Sequence, residues 1–158
     1  MRVARLDIKN KVNEIIKRYK TNDPYKIAEA LDVILLFVPL KGVNGFYNYY
    51  KRNHIIYINE DLEEEEQRIT LAHELGHLVL HKNTNAIYLN TTTALNTQKF
   101  EREADIFASE LLISDNDIID NVNLTAKTLS KILCVKEKHI NYKYENLKEG
   151  LKWYQKTY

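Results

Sequence analysis

Cysteine is almost absent. Cys134 stands alone, so no intrachain disulfide can form and a reducing compartment is expected. Excess charge is missing too: Lys+Arg 23 against Asp+Glu 22 leaves a formal net charge of +1. The chain therefore lacks the bulk positive potential with which a protein holds nucleic acid directly. No run of about eighteen apolar residues occurs, so no membrane-spanning segment is expected. The start, Met1-Arg2-Val3-Ala4-Arg5-Leu6-Asp7, carries no apolar signal core. The expectation is a cytoplasmic protein. Internal repeats and low-complexity tracts are absent as well. What is present is 158 residues, 44% of them hydrophobic, enough for one domain over residues 1–158 with a real core.

With 2 prolines and 4 glycines the punctuation is sparse, and each break is informative. Val12, Ile15, Ile16 and Tyr19 recur at helical spacing. Asp23-Pro24 is an N-cap followed by proline at the first helical position, opening a short helix through Ala28 and Leu31. Val33 to Val38 is apolar and β-prone and stops at Pro39. A turn around Gly42, Asn44 and Gly45 leads to two further strands, Phe46 to Tyr50 and Ile55 to Ile58, joined by the polar turn Lys51 to His54. These three strands predict a small antiparallel sheet. Asp61 with Glu64 reads as a capping box for the next helix, whose acidic first turn, Glu63 to Glu66, suits the helix dipole. Residues from about Lys82 to Thr97 read as an irregular loop, and Ser114-Asp115-Asn116-Asp117 as a break. Thr125 to Leu133 and Val135 to Leu147 read as a C-terminal helical pair at about 125–147. Without a basic stripe, that pair suits core packing or partner docking rather than DNA reading.

The chemistry-bearing motif is His73-Glu74-Leu75-Gly76-His77, inside the helical stretch Ile69 to Leu80. Residues four apart share a helix face, so both imidazoles project to one side. That spacing lets two ring nitrogens bind one Zn²⁺. Glu74, offset from His73 by one residue, flanks the metal and is placed to take a proton from the attacking water. This is the zinc-hydrolase signature.

Catalytic zinc usually takes three protein ligands. His81 extends the face of His73 and His77, but a straight helix cannot bring three residues over two turns onto one ion. His81 is expected to be packed or at the surface. The stretch Phe100 to Leu112 offers a better third ligand. Its apolar stripe is Phe100, Ala104, Phe107, Ala108, Leu111 and Leu112, and the small alanines permit close helix approach. Glu101 falls roughly 60° from the stripe's centre and Glu103 roughly 100°. Glu101 is therefore the expected ligand, while Glu103 and Glu110 are expected on a solvated face. Asp105, one turn after Glu101, is positioned to accept a hydrogen bond from a ligating histidine and fix its tautomer.

At these residues the chain resembles a known family. The pairing of Leu71-Ala72-His73-Glu74-Leu75-Gly76-His77 with Glu101-Arg102-Glu103-Ala104-Asp105-Ile106-Phe107-Ala108 and Leu111-Leu112 resembles the ImmA/IrrE metallopeptidases of bacteria, phages and mobile elements. The likeness runs from about Val12 to Leu147, including the strand Ile55 to Asn59 before the motif helix. The family often has Met-Pro after the Leu-Leu pair, where this chain has Ile113-Ser114. The resemblance implies an α+β fold with a zincin-like, gluzincin-type core. It implies His73, His77 and Glu101 as zinc ligands and Glu74 as catalytic base. It also implies a peptidase whose protein substrate is a transcription repressor of a phage or mobile element. The alternative is a regulatory protein that binds such a regulator without cutting it. Tyr57 and Tyr88 are conceivable donors to the oxyanion, although packing suits each tyrosine better. The Phe46 to Tyr50 strand is the expected edge for an extended peptide.

Overall fold

This computed structural model describes residues 2–81 and 94–154. The fold is α+β. Helix α1 (Arg2–Tyr19) buries Ile8, Val12 and Ile15, one side of the predicted periodicity. Helix α2 (Pro24–Ala30) starts as expected, with the Asp23 carboxylate accepting from the Tyr25 N–H at 3.0 Å. Three strands follow: β1 (Val33–Val38), β2 (Gly45–Tyr50) and β3 (Asn53–Asn59).

Their order is β1-β3-β2, and the sheet is mixed, not antiparallel. β2 and β3 form the expected hairpin, but β3 returns between the first two strands and pairs parallel with β1, Leu35 opposite Ile56. A parallel pair normally needs a crossover segment; here β2 supplies the return. As the central strand, β3 buries Ile56 and Ile58 completely on the helix-facing side. The hairpin turn takes positive φ at both Lys51 (47°) and Arg52 (68°). Positive φ at both central residues is the two-residue turn whose twist matches the strands.

Helix α3 (Glu64–Leu80) begins later than the predicted capping box. Its N-cap is Glu63, which makes no side-chain cap bond. Asp61 is occupied differently, its N–H donating to the Asn59 side chain. Glu64, Glu65 and Glu66 then meet the positive end of the helix dipole directly. Helix α4 (Ala94–Leu112) starts before the expected Phe100, so residues 94–97 are helical and not part of the loop. The rest of that predicted loop, with Tyr88, lies outside the described residues.

The Ser114 break is itself a helix start. Its hydroxyl accepts from the Asp117 N–H, and the Asp117 carboxylate accepts from the Ser114 N–H, opening α5 (Asp115–Ile119). Helices α6 (Ala126–Ile132) and α7 (Glu137–Tyr154) form the predicted C-terminal pair. They belong to the core: Leu129, Val135 and Ile140 are buried in it.

Glu110 overturns its solvated assignment. It is 4% exposed, and its carboxylate accepts from Lys143 Nζ at 2.6 Å and Asn146 Nδ2 at 2.7 Å. Helix α7 supplies the cation that makes burial tolerable. Lys143 Nζ also lies 2.7 Å from Asp115 Oδ1. Breaking a buried pair costs about 3–5 kcal/mol when it strands the other charge, and here Asp115 remains as a partner. Glu110→Ala is therefore expected to lose stability in chemical denaturation, by less than that figure. An unchanged midpoint would show that Asp115 alone satisfies Lys143.

Candidate metal centre

Helices α3 and α4 cross closely because neither presents bulk at the contact. A Cβ on Gly76 would lie 3.0 Å from Ala104 Cα and 3.1 Å from its carbonyl oxygen. Ala104 and Ala108 are fully buried, the close approach expected of small side chains. This crossing brings the face of His73 and His77 against Glu101. The two Nε2 atoms are 3.1 Å apart; Glu101 Oε2 is 3.2 Å from His73 Nε2, and Oε1 is 3.3 Å from His77 Nε2. One donor atom from each residue lies within 4.8 Å of the others. With bonds of ~2.0–2.1 Å, two ligands on a tetrahedral zinc sit ~3.3–3.4 Å apart. The triangle of nitrogen, nitrogen and carboxylate oxygen has nearly that size, so the donor set fits such an ion in both geometry and chemistry.

The electrostatics point the same way. Burial alone would lower the His73 pKa, but hydrogen bonds with Asp105 and Glu101 raise it to about 9. The hydrogen bonds of His73 and His77 hold the Glu101 carboxyl far below the usual range. A metal entering here competes with a proton. Asp105 accepts from His73 Nδ1 at 3.0 Å, which turns Nε2 toward the cluster. Burial would raise Asp105, but His139, His73 and Lys138 together outweigh it and hold it very low.

Glu74 stands apart from the triangle. It is 7% exposed but lines the same cleft. Burial pushes its carboxyl up, against the pull of His73 and His77 and a hydrogen bond from the Tyr47 backbone. A carboxyl raised towards neutrality is suited to moving a proton.

The cleft encloses about 390 Å³ and runs between the 42–45 turn, α3, α4 and the start of α7. Gly45 is required on its wall: a Cβ there would fall 2.6 Å from the Tyr57 carbonyl and 2.7 Å from Thr70 Cγ2. Tyr57 does not reach the cleft. Its ring stacks on Phe46 at 4.5 Å, on the sheet face opposite Ile56 and Ile58.

The exposure expected for the acids of α4 is reversed. The Glu101 side chain is 49% exposed and that of Glu103 is 18%. The edge of the stripe at Glu101 opens into the cleft, whereas Glu103 lies 3.5 Å from His81, whose ring packs at a tilt against Phe100. His81 closes the end of α3 and packs beside His77. Three residues of the cleft went unnoticed in the sequence: Lys136, Lys138 and His139. Each sits more than thirty positions after Glu101 in a segment of ordinary composition, with no local pattern to mark it.

A histidine pair and a glutamate converging from two helices beside a buried glutamate describe a metallopeptidase. Residues 28–146 match the family described as IrrE N-terminal-like domain, and the chain belongs to that peptidase family. It is 39% identical over 109 residues to an uncharacterized immunity region protein of Bacillus phage phi105, covering 68% of this chain and 69% of that protein. It is 36% identical over 110 residues to the metallopeptidase ImmA of Bacillus subtilis, covering 68% and 64%. To the radiation response metalloprotease IrrE of Deinococcus deserti it is 37% identical over 59 residues, 37% of this chain and 20% of that one. No helix among the described residues is long and apolar enough to cross a membrane.

Proposed function

We propose that this protein is a zinc-dependent endopeptidase with a zincin-like core, a single domain over residues 1–158, acting in the cytoplasm on one regulatory protein. The observation that carries the reading is the convergence of His73, His77 and Glu101 beside a cleft that His73, Glu101 and Glu74 line. His73, His77 and Glu101 are the residues that hold the ion. When bound, zinc supplies a Lewis acid that polarises the scissile carbonyl and acidifies a water. Glu74 takes the proton of the attacking water and passes it to the leaving amine. Asp105 keeps the Nδ1–H of His73 engaged, leaving Nε2 as the donor.

β2 pairs with β3 on one side, and its other edge has no partner strand among the described residues. The 42–45 turn, which lines the cleft, runs directly into this strand. An extended substrate can add there through backbone hydrogen bonds. The similarity to a phage immunity-region protein supports a phage or mobile-element repressor as substrate. A protein that held such a regulator without cutting it would have no use for a buried carboxylate beside the metal ligands.

The burial of Leu129, Ile140 and Lys143 changes how substrate docking is tested. Removing the C-terminal helices would expose the core, so the intact chain is used. Offered zinc, casein and a repressor encoded beside its own gene, the protein is expected to cut the repressor at one site and to leave casein intact. Mass spectrometry of the fragments reads the outcome. Rapid digestion of casein would refute the narrow specificity, and no cleavage of either would refute the peptidase.

A further inference from the structure

Lys138 sits in the first turn of α7, and its side chain is 48% exposed. Its Nζ donates to both oxygens of Asp105, at 2.7 Å to Oδ1 and 2.8 Å to Oδ2. Oδ1 is the same atom that accepts from His73 Nδ1 at 3.0 Å. One carboxylate thus joins a half-exposed lysine to a candidate metal ligand. The pair differs from an ordinary surface ion pair in that the Asp105 side chain is only 13% exposed.

We infer that Lys138 is a positioning residue for the metal site: by clasping both oxygens of Asp105 it fixes the plane of that carboxylate, and with it the ring of His73. The inference rests on the reading of His73, His77 and Glu101 as metal ligands.

The carboxylate torsion of an aspartate is broad and roughly two-fold. A single bond to His73 leaves Asp105 free to rock about it; a cation spanning both oxygens removes that freedom. Lys138 is itself delivered on a rigid element, because Glu110 of α4 is bound to Lys143 and Asn146 of α7 in the core. His139 fills the space beside the carboxylate. It is fully buried, with Nε2 3.8 Å from Oδ1, too far for a hydrogen bond. Lys138 is thus the element of α7 that grips Asp105.

The test uses the full chain and zinc as the probe. Zinc affinity is measured by competition with a chromogenic chelator for wild type, Lys138→Met, Lys138→Arg, Asp105→Asn and the double variant Asp105→Asn with Lys138→Met. In parallel, NMR of the metal-free proteins follows exchange of the His73 Nδ1–H proton with water. Lys138→Met is expected to weaken zinc binding about three- to tenfold, below the ~10–100-fold cost of losing a direct partner of a ligand. It is also expected to speed the proton exchange. Lys138→Arg restores both, because a guanidinium can span two carboxylate oxygens. In the Asp105→Asn background Lys138→Met adds nothing, as expected for two residues acting in series. Wild-type affinity and exchange in Lys138→Met would overturn the inference, as would an equal loss in the Asp105→Asn background. If the wild-type protein binds no zinc, the metal-site reading falls, and the His73 proton exchange alone decides whether Lys138 positions the ring.

Discussion

Glu74→Gln is expected to bind zinc as tightly as the wild-type protein and to lose peptidase activity by about 10²–10⁴-fold, the range that a positioned general base contributes. Glutamine keeps the shape of the side chain but cannot accept a proton. Glu74 is buried and outside the donor triangle, so the substitution leaves the three candidate ligands untouched. It also replaces a charge that burial disfavours, and the fold is expected to be retained or slightly stabilised. The measurement pairs zinc stoichiometry with the cleavage rate of the same preparation. Near-wild-type cleavage with zinc bound would remove Glu74 from the proton path. Loss of zinc in this variant would instead make Glu74 a ligand.

The parts of this molecule legible in the sequence are those that one helix encodes locally. His73, Glu74 and His77 follow from a four-residue spacing, and the close approach at Ala104 from a stripe of small residues. Glu101 was picked out by its angle to that stripe, but the angle could not say that the flanking surface is a cleft rather than a buried edge. Its exposure relative to Glu103 was inverted for that reason.

What long-range pairing decides was not legible. Glu110 reads as one more surface acid until Lys143, 33 residues later, is folded against it. The parallel pairing of β1 with β3 depends on which strand the hairpin inserts beside, and no hydropathy pattern records that. The helices that end at Tyr19, Ala30 and Ile132 stop where their apolar spacing runs out, although the left-handed residues that follow are Lys20, Asp32 and Cys134, with φ of 55°, 54° and 50°, and not glycine. The turn after Leu112 lacks the Met-Pro common in the family, yet Ser114 closes it by capping the following helix.

Glu101→Gln and Glu103→Gln separate the two acids that the sequence could have confused. Both lie on α4 two residues apart, and both have a histidine within 3.5 Å. Glu101 alone reaches both His73 and His77, whereas Glu103 lies against His81 and Lys99. Glu101→Gln replaces a charged donor in the triangle with a neutral amide, and zinc affinity is expected to fall by more than the ~10–100-fold that partners of ligands cost. Glu103→Gln loses only contacts beside the site and is expected to keep wild-type affinity. A second readout follows from linkage. A ligand that binds the folded state alone stabilises it by about 2.7 kcal/mol at a hundred times its dissociation constant. Added zinc should therefore raise the melting temperature of the wild type and of Glu103→Gln, but not that of Glu101→Gln at the same concentration. If Glu103→Gln loses zinc while Glu101→Gln keeps it, the third ligand has been assigned to the wrong acid. If neither changes, the ion is held by the histidines with a donor from elsewhere, and the triangle seen here is a hydrogen-bonded cluster of the metal-free protein.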